Sequence, residues 1–523
     1  MSEAEPKGAV AAGDPTTVAA AAEALAAGGT ACDAALAGML AACVVEPVLC
    51  SLGGGGFLLS VPADGDDVRL FDFFAQTPQA KKPVADLDFR RVTVDFGAAT
   101  QDFHIGRAAA AVPGLPAGLF AVHRARGRLP LAEIAAPALR LAREGAPIGR
   151  FQAHLMQIVH PIMLASAEAR ALMADPAHPE RPAPEGHIRR LPRFAETLEA
   201  LIADGPRFFY EGPPAREIAA RHRDGGLLTE RDFADYRVAV RAPLAVEALG
   251  ARILTNPAPS AGGALVAAQL CLLERLKEAP AGPDDPIRRL AAVAAVMGAA
   301  AEGRRVSGLA EAEDADAIAE AAERLLAPAA LDRLAGRARK IGGTTHISVV
   351  DAAGDLAALS LSNGEGNGEI IPGTDQMMNN MLGEEDLNPR GFFAWRERTR
   401  IASMMAPTAL IARGGRRIAL GTGGSNRIRS AIFHTAVRLL AEGLPLDAAI
   451  AAPRLHVEGA QLEIEGGTDR EAAAALAARW PAHRLWPDRN VFFGGVHAVE
   501  RLADGSLAAA GDPRRGGAGR VVA

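Results

Sequence analysis

The residues best placed to do chemistry form one short run, Gly342-Gly343-Thr344-Thr345-His346-Ile347-Ser348-Val349-Val350-Asp351. A threonine inside a chain is a poor nucleophile, because nothing adjacent strips its hydroxyl proton. At a chain N-terminus the free α-amine, with an ordinary pKa of about 7.7–8.0, is itself that base. A glycine pair running into threonine therefore points to self-cleavage before Thr344. Thr344 Oγ would attack the Gly343 carbonyl in an N→O acyl shift, and Gly343, lacking Cβ, tolerates the geometry this needs. Taken alone, the same residues read more simply as a threonine-rich strand start.

Other chemical candidates fall away. Gly53-Gly54-Gly55-Gly56 invites a phosphate-loop reading, but no Lys-Ser/Thr follows and the next element is a strand. A tight turn or close backbone packing explains it better. Cys32, Cys43, Cys50 and Cys271 have neither metal-ligand spacing nor a disulfide rhythm and read as free buried thiols. His154 and His160 are six apart, off the i,i+4 spacing of helical ligands. No metal and no organic cofactor is expected. With 62 acidic and 56 basic residues the net charge is −6, and no basic face appears, so nucleic acid is not an expected partner. Met1-Ser2-Glu3-Ala4-Glu5-Pro6-Lys7 has no basic n-region or apolar h-region, and no window of about 20 residues is apolar enough to span a bilayer. No membrane partner and a soluble, cytoplasmic protein are the expectation.

The elements that must position Thr344 can be sketched from pattern. Helices are expected over Val18–Ala27, stopped by Gly28-Gly29, and over about Cys32–Val45, with Asp33 in its first turn and Pro47 beyond its end. Phe57–Val61 reads as an apolar strand. Pro/Gly-punctuated helices run from Leu115 to Arg150, with further helices at Phe194–Ala203 and Ala215–Arg223. Leu244–Leu254 reads as one strand, and Pro257 to Gly263 as a rigid turn into an apolar helix. Asp314–Lys340 reads as a charged helical connector to the Gly-Thr junction. Beyond it, Thr345–Val350 and Leu356–Leu361 flank a hairpin turn. Strands at Ala409–Ala412 and Ile418–Leu420, helices at Ser430–Glu442 and Arg470–Ala477, and a strand–turn–strand at Gly495–Ala509 complete the series. Strands bracketed by helices suggest stacked layers around a central pair of sheets.

Taken in order, several segments resemble the γ-glutamyltranspeptidase family. They are Gly28 to Ala35, Val45-Glu46-Pro47, Gly53 to Phe57, Val112-Pro113-Gly114, Gly225 to Thr229 and Pro259 to Gly263. After these come Gly343-Thr344-Thr345-His346, Asn379-Asn380-Met381, Ser403 to Thr408, Gly421 to Ile428 and Asp512-Pro513-Arg514. The likeness runs from about residue 8 to the end. It implies an α/β fold of the N-terminal nucleophile hydrolase type, a four-layer αββα sandwich. It also implies self-cleavage at Gly343-Thr344 into a large piece, 1–343, and a small piece, 344–523, intertwined in one domain. The cleaved pieces would then be each other's partners, and whether heterodimers pair further stays open.

The resemblance assigns roles. Thr344 is the nucleophile, supported by Thr345; His346 reads as a packed strand residue. Ser362 stands where the family usually has a threonine that hydrogen-bonds the nucleophile's amine. Gly423, Gly424 and Ser425 match the oxyanion loop, whose backbone N–H groups would face developing negative charge, with Ser425 also counted among substrate contacts. Ser403 matches a serine that touches the substrate α-carboxylate, and Met404 replaces a second serine. Glu384, Glu385 and Asp386 lie where the family has an α-amine-binding aspartate, Glu384 being the aligned choice; Asn363 and Glu365 are further substrate-side candidates. The departure is Asp72 to Pro78, where Gln76 takes the place of a carboxylate-clamping arginine. A buried carboxylate with no cation is costly. Either Arg90, Arg91 or Arg427 substitutes, or the acyl group differs. Only 18 residues, 385 to 402, separate Glu384 from Ser403, so an open pocket is expected.

Three readings follow: a γ-glutamyl hydrolase/transferase acting on glutathione-like small amides, a related amide acylase with a different acyl group, or an uncut, non-catalytic relative that binds a small ligand.

Overall fold

The computed structural model describes residues 6–95, 100–276, 285–309, 312, 315–331, 344–388 and 390–523. Two antiparallel sheets organise it. In chain order their strands are β1 (Gly8–Ala12), β2 (Gly55–Val61), β3 (Arg69–Phe73), β4 (Ala239–Arg241), β5 (Leu244–Ala248), β6 (Ala251–Thr255), β7 (Thr345–Asp351), β8 (Leu356–Ser362), β9 (Thr408–Ala412), β10 (Arg417–Gly423), β11 (Gly495–Arg501), β12 (Leu507–Ala510) and β13 (Ala518–Val522). The first sheet runs β4-β3-β2-β8-β7-β1-β13 and the second β5-β6-β9-β10-β11-β12. Both sheets mix strands from before and after residue 343, so neither part of the chain could complete a sheet alone.

The strand that follows Thr344 shows why the layers stack. Alternate side chains point to opposite faces of a strand. Ile347 and Val349 of β7 join one hydrophobic cluster with helices α1 (Pro15–Ala26) and α2 (Ala31–Val45), while Val350 joins the cluster that includes the second sheet. His346 and Ser348 share the Val350 face. The His346 ring occupies the space where Gly421 of β10 has no Cβ, which lets the two sheets approach. Helices α3 (Ala261–Arg275) and α4 (Arg427–Leu440) cover the second sheet.

Most expected elements appear within a few residues. Thr30 and Asp33 form a reciprocal capping box at the start of α2. Leu244–Leu254 is not one strand but the hairpin β5–β6. Its turn, Leu249-Gly250, has φ of +52° and +73°, the left-handed geometry a two-residue hairpin requires. The connector over 314–340 is helical at Ala315–Leu326 and Pro328–Leu331, and residues 314 and 332–340 lie outside the described residues. The pairing of β1 and β13 beside β7 was not anticipated. No helix among the described residues is long and apolar enough to cross a membrane.

Candidate active site

Thr344 is 4% exposed and immediately precedes β7. The β7–β8 register sets Thr345 opposite Leu361, which brings Ser362, the last residue of β8, across from Thr344. Ser362 Oγ accepts from the Gly364 N–H at 3.1 Å. From the second sheet, the end of β10 closes on Thr344 so tightly that a Cβ on Gly423 would overlap the Thr344 carbonyl. Gly424 at φ +125° and Ser425 at φ +48° then turn the chain into α4. Glycine is required at 423 by contact and at 424 by conformation.

A small cavity of about 30 Å³ gathers Thr344, Ser362, Glu384, Asp386, Ser403 and Ser425. The turn before α3 holds Ser403 in place: its carbonyl accepts from the Ala261 N–H at 3.0 Å, and its Oγ accepts from the Met405 N–H at 3.0 Å. Glu384 Oε1 has no hydrogen-bond partner among the described residues. Burial, then the charges of Glu365 and Asp386, push the Glu384 carboxyl well above the usual range. Asp386 accepts a 2.5 Å hydrogen bond from Ser425 Oγ, and burial raises its pKa to about 6 against the lowering effect of that bond. The cavity thus presents an acidic side, which suits a substrate ammonium.

Its other side is apolar, and here the structure corrects the sequence. Gln76 is not among the lining residues; Phe74 is. Gln76 is pinned by the main chain, donating to Val112 O at 3.1 Å and accepting from Val112 N–H at 2.9 Å, with a second bridge to Arg400. Phe74, Leu387, Met404, Met405 and Ile428 supply the apolar surface. No lysine, arginine or histidine is among the described residues that line the cavity. Arg90 and Arg91 are exposed and pair with Asp88 and Asp102. Arg427 donates to Phe492 O at 2.9 Å and stacks on that ring.

Asn363 and Glu365 also stand outside the lining. Asn363 is wholly buried with Oδ1 accepting from Ser51 Oγ at 3.1 Å, and Glu365 is buried close enough to Glu384 for their charges to repel. Gly343 lies outside the described residues. Of the short 385–402 stretch, Asp386 and Leu387 line the cavity. His346 bonds Ser360 Oγ at 2.8 Å and Ser348 Oγ at 2.9 Å, and burial holds its pKa well below the usual histidine value. It is a packed neutral ring, as the strand pattern indicates. Among the described residues no group of three or more His, Cys, Asp or Glu side chains could hold a metal ion.

Two neighbours of the Thr344-Thr345 pair were missed. Arg515 donates to the Thr344 carbonyl at 2.9 Å, and Glu46 accepts from Thr345 Oγ1 at 2.7 Å. Both adjoin segments singled out above, Asp512-Pro513-Arg514 and Val45-Glu46-Pro47, but nothing in those segments says that they meet.

A family model described as gamma-glutamyltranspeptidase matches residues 17–522. The chain is 28% identical over 520 residues to the acylase ACY 1 proenzyme of Pseudomonas sp. strain V22, an alignment that covers 96% of this chain and 91% of that one. It is 29% identical over 549 residues to the glutathione hydrolase proenzyme of Pseudomonas aeruginosa, covering 98% and 94%. Among solved structures, a cephalosporin acylase from Bacillus halodurans superposes with a TM-score of 0.81 at 23% identity, covering 99% of this chain and 96% of that one. At that identity the likeness is one of fold.

Proposed function

Because this chain belongs to the γ-glutamyltranspeptidase family, we propose that it is a γ-glutamyl hydrolase/transferase whose nucleophile is Thr344. The fold is read as the αββα sandwich of N-terminal nucleophile hydrolases. The chain cuts itself between Gly343 and Thr344, and the pieces 1–343 and 344–523 stay together because both sheets draw strands from each. The freed Thr344 amine takes the hydroxyl proton, and Oγ attacks the amide carbonyl of the substrate. Backbone N–H groups of the Gly423-Gly424-Ser425 turn face the charge that develops on the carbonyl oxygen. The amine leaves, and water or an acceptor amine resolves the acyl-enzyme. Ser362 supports the Thr344 amine, Ser403 contacts the acyl group, and Glu384 with Asp386 receives the α-ammonium.

One observation carries this reading: Thr344, Ser362, Ser403, Ser425 and two carboxylates, distant in sequence, border one cavity. Denaturing electrophoresis tests the first step. The wild type should give two bands and Thr344→Ala one, and a full-length band in both would refute self-cleavage. Release of p-nitroaniline from γ-glutamyl-p-nitroanilide tests the second.

A second reading, an amide acylase, is favoured by Phe74. A lining that includes Phe74, Met404 and Met405, with no cation among its described residues, suits an acyl group without an α-carboxylate. A cleaved enzyme that ignores the γ-glutamyl anilide and hydrolyses a straight-chain acyl p-nitroanilide would establish it.

A further inference from the structure

Two buried groups of opposite charge that the reaction as described does not use, Glu46 and Arg515, hold the Thr344-Thr345 segment. Glu46 directly follows α2 and is wholly buried. One carboxylate oxygen accepts from Thr17 Oγ1 at 2.8 Å and the other from Thr345 Oγ1 at 2.7 Å. Arg515, also buried, reaches the Thr344 carbonyl at 2.9 Å through a slot that three glycines keep open. A Cβ on Gly423 would lie 2.7 Å from its Nη1, one on Gly424 3.4 Å from its Nη2, and one on Gly495 against its aliphatic stem. The slot shows that these glycines serve the guanidinium as well as the turn.

Both contacts are made to parts of the chain that cleavage leaves intact, since the Thr344 carbonyl belongs to the 344–345 peptide. We propose that Glu46 and Arg515 are positioning residues for the nucleophile. Arg515 fixes the carbonyl of Thr344; Glu46 fixes the next residue through the Thr345 hydroxyl and, with Asp512, faces the Arg515 charge. With its carbonyl and its neighbour held, Thr344 keeps its amine and hydroxyl aimed at the cavity. The inference rests on Thr344 being the nucleophile.

Glu46 has neighbours on every side. Asp14 faces it from the β1–α1 junction, Cys50 from beyond its own helix, and Arg515 from near the C-terminus. His497 of β11 meets the same empty Cβ position of Gly13 as Glu46 and Thr345 do. Burial raises the Glu46 pKa to about 7, Asp14 adds to the rise, and Thr345, Thr17 and Arg515 oppose it. His497 is held down at about 4 by burial, so it stays neutral through this range. Protonating Glu46 leaves Asp512 as the remaining carboxylate that favours the Arg515 charge and neutralises the acceptor that holds Thr345, so kcat should fall as pH drops through about 7 while KM holds.

The test uses the full chain. Cleavage of the wild type but not of Thr344→Ala first establishes the nucleophile, and no cleavage in either removes the inference along with that reading. Glu46→Gln keeps the shape and loses the charge. Its cleaved form should show kcat lowered about tenfold or more with KM within about twofold, on whichever p-nitroanilide the wild type turns over faster. The acid limb of its kcat–pH profile should be absent. A kcat and an acid limb like those of the wild type would overturn the proposal. Should Glu46→Gln fail to fold, Thr345→Ser and Thr345→Val decide. Serine should retain kcat and valine should reproduce the loss; equal kcat values would overturn the proposal.

Discussion

A carboxylate buried to position a nucleophile should weaken the fold it sits in, and Glu46→Gln measures by how much. Glu46 is lifted from its ordinary 4.5 to about 7. At about 1.4 kcal/mol per pH unit, that lift is worth on the order of 3 kcal/mol. Below pH 4.5 the group is protonated in both folded and unfolded chains, so it costs nothing. Between 4.5 and 7 the unfolded chain ionises first and draws the equilibrium toward itself. Above 7 the full penalty is present. Stability linked to this residue is therefore greatest in acid and is lost as pH rises through 7. Urea unfolding of the uncut Thr344→Ala chain, with and without Glu46→Gln, isolates the effect from subunit dissociation. The glutamine chain should be more stable at pH 8 than its parent by about 3 kcal/mol relative to their difference at pH 4. A difference that stays the same at the two pH values would refute the reasoning, because it would mean that Glu46 does not titrate between them. A gain in stability with a loss of kcat is the trade expected of a site that is strained for function.

Three further outcomes follow from the geometry. Phe74→Arg places a guanidinium in the cavity. A hydrogen bond to a charged group is worth about 1.5–3 kcal/mol, so kcat/KM for the γ-glutamyl anilide over a simple acyl anilide should rise roughly 10- to 100-fold; an unchanged ratio would show that the position does not meet the acyl carboxylate. Gly423→Ala drives a Cβ into the Thr344 carbonyl, and electrophoresis should show an uncut chain; normal cleavage would refute the close approach. Asp386, at about 6, carries its charge only above that pH, so KM for an amine-bearing donor should rise as pH falls from 7 to 5. Asp386→Asn should remove this dependence, and persistence of the slope would transfer the role to another group.

What the sequence revealed and what it concealed divide along a physical line. The Gly-Thr junction stands out in sequence because the chemistry proposed for it is intrinsic to the residues. Strands β7 and β8 were legible because alternation is local. The hairpin Leu244–Thr255 was not, because two adjoining apolar runs look like one until Gly250 is recognised as a turn residue. Strands Gly8–Ala12 and Ala518–Val522 were hidden for another reason. Each is short and rich in alanine, glycine and valine, and their pairing beside β7 spans more than 300 residues of chain. Gln76 and Phe74 differ by two positions at a strand end, and only the two bridges that pin Gln76 decide which of them meets the cavity.

Glu46 and Arg515 are the harder case, since neither has a local partner to betray its role. One signal does exist. All fifteen residues of α2 are buried, and the sequence already marks that helix as nearly uninterrupted small and apolar residues. A glutamate directly after such a helix, held in by Pro47, cannot easily reach water. A carboxylate that cannot reach water must find donors or a cation. Its donors are the Thr17 and Thr345 hydroxyls, and the glycine pair at 423–424, read from sequence only as an oxyanion loop, marks the opening through which Arg515 reaches Thr344. Thr344 and Thr345 are thus held by two charged groups that neither their own strand nor their own loop supplies, which is why the chemistry proposed for Thr344 rests on ten residues of sequence while its surroundings required the whole fold.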